Sequence, residues 1–283
     1  MGFLVIIFLQ LFSHNLLQYT VLNAILYGMK QSTLHQPTKI VDDFKPIWTF
    51  YIEMEADLAC FSHHLQKVER GTYPMPTATA IVKAVSGVYW HPPLRYRVDE
   101  VHIINPIKYQ PIMLNERPDI GSVNTTTGAV KTVEAGDAMQ RTNTYLRNPK
   151  YQIKMTLLYD AEYYNRHNGC TKQNECYQKH IDILEHRLKK EQSKFVPYAG
   201  LSECRVYFKA LEQFTLTPCN YTTTYMGRFC SVKRPDGTMR TIYTRYTICN
   251  GVAHLTDCVL HSKCWSREYT VMDFLNNNIE WEK

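Results

Sequence analysis

The sequence predicts an α+β, mainly β fold: antiparallel sheets, one prominent amphipathic helix and a disulfide-stabilised C-terminal portion. Three observations predict it. Short apolar/polar alternations recur along the chain, one long segment carries a helical period, and eight of the nine cysteines fall from Cys170 onward. Tyrosine is the most frequent aromatic, at 20 residues against 12 glycines, which suits strands with amphipathic aromatic surface better than a disordered chain.

Taken in order, Gly2 to Phe12 is an apolar run with the length of a signal-peptide core, and no acid, Lys or Arg occurs before Lys30. Small residues follow at Ser13 and Ala24, so residues 1–24 are expected to be a cleaved leader, with Ala24 preferred because it closes the apolar stretch. A signal anchor is the competing reading, weakened by Gln10, Ser13, His14, Asn15 and Gln18, which a spanning helix would turn toward hydrocarbon. The remainder divides into a β-rich N-terminal domain, 25–165, and a cysteine-rich C-terminal domain, 166–283.

Residues 46 to 57 alternate Ile52, Met54 and Ala56 against Tyr51, Glu53 and Glu55, the pattern of a half-buried strand. Tyr151 to Leu157 and Arg205 to Ala210 repeat that phrasing, as any alternating strand would. Further strands are expected at Thr79 to Trp90, Tyr96 to Ile104 and Val130 to Glu134, with Pro92 and Pro93 separating the first pair. Met113 to Asn148 is polar and reads as a long exposed excursion.

The helix is expected over Thr171 to Lys194, where Tyr177, Ile181, Leu184 and Leu188 share one face and Pro197 lies beyond the end. Arg234-Pro235-Asp236-Gly237 is turn chemistry between alternating segments from Gly227 to Lys233 and Thr238 to Cys249, the clearest hairpin in the chain. A short closing helix is expected over Val271 to Asn278.

In an oxidising compartment, Cys60, Cys170, Cys176, Cys204, Cys219, Cys230, Cys249, Cys258 and Cys264 are disulfide candidates, and the odd one would allow a covalent dimer. Asn124-Thr125-Thr126 and Asn220-Tyr221-Thr222 are glycosylation sequons. Zinc is not supported: no C-x-x-C occurs, and His180 and His186 stand six positions apart, on different faces of a helix. Hence no metal and no cofactor are expected.

Catalytic chemistry leaves no clear trace. No G-x-S-x-G elbow or phosphate-binding glycine loop is present; Cys60 near His63 and His64 is better read as a pairing cysteine, and no catalytic residue is assigned. The one surface with a physical argument for binding is the hairpin. Arg228, Lys233, Arg234, Arg240 and Arg245 are set there against a single acid, Asp236, with Tyr243 and Tyr246 as stacking faces. With a net charge of +6, that ribbon suits a sulphated glycan, an acidic protein face or, less readily outside a cell, RNA.

The sequence is therefore read as a secreted, disulfide-stabilised extracellular glycoprotein acting as a non-enzymatic binding or effector protein. A surface or virion glycoprotein ectodomain and a secreted hydrolase are the alternatives. Its partner would be an extracellular protein or sulphated glycan, with no nucleic acid and no membrane span after cleavage.

Overall fold

A computed structural model describes residues 42–66, 68–116, 122–123, 130–131, 139–168, 176–233, 237–263, 265 and 267–280. The expected leader, 1–24, lies outside the described residues. So do Cys170, Cys264, Asn124 and Arg234.

The architecture is a mixed-order sheet of antiparallel strands with helices packed on it. The strands are β1 (Lys45–Glu55), β2 (Leu58–Ala59), β3 (Leu94–Ile103), β4 (Tyr109–Glu116), β5 (Ser122–Val123), β6 (Val130–Lys131), β7 (Met139–Arg147) and β8 (Lys150–Tyr159). They continue with β9 (Tyr207–Leu211), β10 (Thr223–Lys233), β11 (Met239–Cys249), β12 (Val252–His254), β13 (Val259–His261) and β14 (Tyr269–Thr270). Nine of them form the main sheet in the order β14-β13-β11-β12-β3-β8-β1-β9, with β10 joined to β11.

The three segments that alternate alike in sequence lie side by side. β1 takes β8 on one edge and β9 on the other, Ile52 facing Ile153 and Ala210 across the ladders. Each buries its apolar set: Phe50, Ile52 and Met54 from β1, Ile153, Met155 and Leu157 from β8, Phe208 from β9. Strands from both halves of the chain thus share one sheet, since β12 also pairs with β3, and one buried cluster runs from Phe50 to Ile279. At about 2 kcal/mol for each fully buried aliphatic side chain, this shared cluster is the main cohesive term.

Thr79 to Trp90, expected as a strand, is a helix instead: α1 spans Ala78–Val88. The β-branched Ile81, Val82, Val85 and Val88 favour a strand, but Ala78, Ile81, Ala84, Val85 and Val88 bury with helical spacing, and that packing wins. Thr77 starts the helix by accepting from the Ala80 N–H at 3.3 Å. Among the described residues the expected amphipathic helix is therefore one of two long ones. It is α3 (Tyr177–Lys189), which buries His180, Ile181, Leu184 and Leu188; residues 169–175 lie outside the described residues. The shorter helices are α2 (Tyr163–Asn168) and α4 (Val271–Leu275), the latter closed by a capping box between Thr270 and Asp273.

Part of the expected 113–148 excursion is strand. β4 and β7 pair from Tyr109–Leu146 to Glu116–Met139, and Asn143, fully buried, donates to Glu116 at 2.9 Å while accepting from the Arg70 N–H.

The expected disulfide framework is overturned. Among the described residues Cys60, Cys176, Cys204, Cys219, Cys230, Cys249 and Cys258 are all free thiols. On the hairpin, Cys230 lies opposite Ile242 and Cys249 opposite Val252, so the two arm cysteines never face each other. Cys60, Cys204 and Cys230 are packed as small apolar groups in the core. No helix among the described residues is long and apolar enough to cross a membrane.

Candidate functional site

A group of residues able to pass protons lies where α1 ends against α3. Tyr89 caps α1, its N–H still bonded to the Val85 carbonyl at 3.2 Å. The Tyr96 hydroxyl, kept protonated because burial pushes its pKa up, donates to the Tyr89 carbonyl at 2.6 Å. From α3, the Arg187 guanidinium donates to the Val88 carbonyl at 2.8 Å and lies 5.2 Å from the Tyr89 ring centroid. Backbone, carbonyl and ring of Tyr89 are thus each held by a different element.

The Tyr89 hydroxyl meets His180 Nδ1 at 2.7 Å. His180 is 1% exposed, although it sits one residue after the exposed Lys179. Around it stand the rings of His91 at 4.9 Å and Tyr159 at 5.8 Å, and Tyr164 brings its hydroxyl to 3.4 Å from His91 Nδ1. A phenol against a neutral imidazole donates its proton to the bare nitrogen, so the pair is a ready path along which a proton moves from tyrosine to histidine.

The sequence predicts only the helix here, with His180 in it an unsuitable zinc ligand. The signal was nevertheless present. His180 stands four positions before Leu184 and eight before Leu188, on the apolar stripe, and a titratable residue on a buried face needs a bonded partner.

A second, separate group gathers where the loop at residues 61–73 crosses the base of the hairpin. Tyr73 is 1% exposed and stacks on Tyr225 of β10 with ring centroids 5.4 Å apart; its hydroxyl accepts from the Arg228 N–H at 3.2 Å and meets His64 Nδ1 at 2.5 Å. His63 stacks on His64 at 5.0 Å, and His64 packs edge-on to Tyr243 at 5.1 Å. Burial lowers both histidine pKa values, helped at His64 by His63 and by the Arg228 guanidinium.

The hairpin register sorts the expected binding residues by face. Arg228 pairs with Tyr243 and Met226 with Arg245, so Arg228, Tyr243 and Arg245 share the outer face. Tyr246 lies on the other face, 1% exposed, with its hydroxyl donating to the Arg228 carbonyl at 3.3 Å. Lys233 and Arg240 are exposed toward the tip. Asn220 is exposed in the turn before β10. Among the described residues no group of three or more His, Cys, Asp or Glu is placed to hold a metal.

Residues 49–242, more than half of the chain, match the family model of the CRISPR-associated protein (Cas_Cas5). The chain belongs to the Cas5 family.

Two curated relatives carry the description CRISPR pre-crRNA endoribonuclease Cas5d. The one from Mannheimia succiniciproducens is 27% identical over 160 residues, covering 55% of this Cas5 chain and 69% of the relative. That from Thermus thermophilus is 28% identical over 157 residues, covering 56% and 62% respectively. This Cas5 protein therefore spans about two thirds of the length of those relatives. Two solved structures share its fold. A CRISPR-associated protein superposes with TM-score 0.54 at 17% identity, over 75% of this chain and 93% of that one. A functionally uncharacterised Streptococcus mutans protein gives TM-score 0.53 at 19% identity, over 75% and 94%.

Membership in the Cas5 family overturns the secretory reading. Cas5d proteins are intracellular, so the extracellular destination, the glycosylation reading of Asn124 and Asn220 and the extracellular protein or sulphated-glycan partner are withdrawn. The non-enzymatic effector reading and its ectodomain and secreted-hydrolase alternatives fall with them. So does the expectation of no nucleic acid, because the relatives are named for action on an RNA. What misled was a coincidence of features: cysteine-rich strands bury thiols as small hydrophobes just as well as they carry disulfides.

Proposed function

We propose that this Cas5 protein cleaves precursor CRISPR RNA, with Tyr89 and His180 as the proton-transfer pair. The 2.7 Å contact between the Tyr89 hydroxyl and His180 Nδ1 carries the reading. RNA contains its own nucleophile, the 2′-hydroxyl beside each phosphate, and an enzyme that cleaves it must chiefly remove that proton and steady the charge on phosphorus.

Tyr89 is partly exposed and His180 is buried behind it, so the tyrosine faces the substrate and the histidine stores the proton. As O2′ attacks phosphorus, its proton passes to the Tyr89 oxygen while the Tyr89 proton moves to His180 Nδ1. The bond from phosphorus to the 5′ oxygen breaks, and that oxygen takes a proton from water. Arg187 beside the Tyr89 ring and Lys179 next to His180 add positive charge where the phosphate would gather negative charge.

The test is incubation of the purified full chain with a transcript of its own CRISPR repeat. Cleavage at one position, lost in His180→Ala with the RNA affinity unchanged, is the expected result. Full activity of a folded His180→Ala protein would remove the pair from the mechanism.

A further inference from the structure

The loop and hairpin group at His63, His64, Arg228, Tyr243 and Arg245 plays no part in the chemistry at Tyr89 and His180. α1 separates the two. Its N-terminal end touches the hairpin, Thr79 donating to the Phe229 carbonyl at 2.5 Å, and its C-terminal end carries Tyr89. At about 1.5 Å per residue, an 11-residue helix sets them roughly 16 Å apart.

Among the described residues, the cations of this group lack partners of opposite sign. Arg97, Arg141, Arg166 and Lys150 all pair with carboxylates, yet Arg228, Arg245, Arg240 and Lys233 meet none among the described residues. Arg228 Nε is moreover buried without a hydrogen-bond acceptor, and its guanidinium stands near His64 rather than an acid. A partly buried guanidinium held beside imidazoles is a costly arrangement that an anion relieves. Arg245 is the diagonal cross-strand neighbour of Arg228 on the same outer face, about 7 Å away in an antiparallel ladder. Between and beside them lie flat rings: Tyr243, and the His63–His64 stack inclined at only 24°.

Paired cations next to aromatic faces fit alternating phosphates and bases. We propose that this face binds single-stranded RNA outside the cleaved bond, phosphates on Arg228 and Arg245 and a base against Tyr243 and the His63–His64 stack. An acidic polypeptide would satisfy the cations but leave the rings without a stacking partner, so RNA is the better fit. The inference rests on the proposed RNA substrate for its biological sense, though not for its geometry.

Fluorescein-labelled oligouridylate, followed by anisotropy over a salt series, tests it on the full chain. Arg228→Ala with Arg245→Ala is expected to weaken binding at least tenfold and to lower the slope of log affinity against log salt by about 1.4, since each phosphate contact on a single strand contributes about 0.7. Arg228→Lys with Arg245→Lys keeps the charges and should retain most of the slope, and Tyr243→Ala should weaken binding without changing it. An unchanged affinity and slope in the folded double-alanine protein overturns the proposal, as does competition by polyglutamate stronger than by oligouridylate. The two readings fail separately. Repeat cleavage with arginine-independent binding sinks this site alone, whereas arginine-dependent binding without any cleavage sinks only the proposed reaction.

Discussion

The Tyr89 hydroxyl and His180 Nδ1 are 2.7 Å apart across 91 positions of sequence. Tyr89 caps α1 and His180 lies on α3, while the Tyr96 hydroxyl binds the Tyr89 carbonyl and the Arg187 guanidinium lies over the Tyr89 ring. Tyr89→Phe deletes one oxygen and leaves the ring, the cation over it and the helix cap intact. In single-turnover cleavage of the repeat transcript, the rate should fall by about 10² to 10⁴, the usual contribution of a positioned acid or base. The RNA affinity should stay within twofold. Loss of affinity with an unchanged saturated rate would make Tyr89 a binding residue instead.

Arg187→Met keeps the length of the side chain over Tyr89 but removes its charge and its 2.8 Å bond to the Val88 carbonyl. The stability loss should be about 1 to 3 kcal/mol, because a buried acceptor loses a charged donor. Urea unfolding gives that number. A cleavage rate that falls further than the unfolded fraction accounts for would show the guanidinium acting on Tyr89.

Among the described residues free thiols replace the expected disulfides, and this has a direct chemical check. Burial pushes the Cys204 thiol up to about 12 and raises Cys230 as well, so both remain protonated and unreactive near neutral pH. Cys176 and Cys249 are exposed. A thiol reagent applied to the native protein at pH 7.5 should label Cys176 and Cys249 and spare Cys60, Cys204 and Cys230 until denaturant is added. A melting temperature that drops on adding reductant would mean that disulfides do hold the fold.

How much of this was legible depends on which residues carried the pattern. β1 and β9 alternate plainly, and the Pro-Asp-Gly turn announces the β10–β11 hairpin, because strands half-buried in an antiparallel sheet must write their burial with a period of two; β8 alternates in sequence yet is buried on both faces, its polar Gln152 and Thr156 held by hydrogen bonds. The valines and isoleucine of α1 favour a strand, and only the packing at Ile81, Val85 and Val88 reveals the helix. The Tyr89–His180 pair was not legible as a pair. A contact across 91 positions leaves no spacing to read, and its one local trace was a histidine on the apolar stripe of α3.

Gly200 has φ +87°, and a Cβ there would stand 1.9 Å from the Cys60 carbonyl oxygen. The approach is fixed on both sides: the Cys60 N–H donates to the Ala199 carbonyl at 3.0 Å, and the Ala199 N–H donates to the Cys204 carbonyl at 2.7 Å. Gly200→Ala must therefore adopt a left-handed backbone and displace main chain rather than a flexible side chain. The left-handed backbone costs about 1 to 2 kcal/mol, and the clash adds to it, so the loss should reach several kcal/mol. Urea midpoints measure it, and a loss under about 1 kcal/mol would mean that the loop yields.

Tyr96, Tyr151 and Tyr246 are buried, and desolvation raises all three hydroxyl pKa values from the ordinary 10.0. A group that binds its proton more tightly when folded contributes fully below its unfolded pKa and loses that contribution as pH climbs toward the folded value. Here the window opens near pH 10. Stability should be insensitive to these groups at pH 8 to 9 and fall steeply above pH 10, as the unfolded chain releases protons that the folded one retains. Absorbance at 295 nm should then show exposed tyrosines such as Tyr207 ionising first and the buried three only together with loss of structure. Tyr246→Phe, which keeps the ring but has no proton to lose, should make the decline above pH 10 shallower. A decline equally steep in that variant would place the alkaline instability elsewhere than at Tyr246.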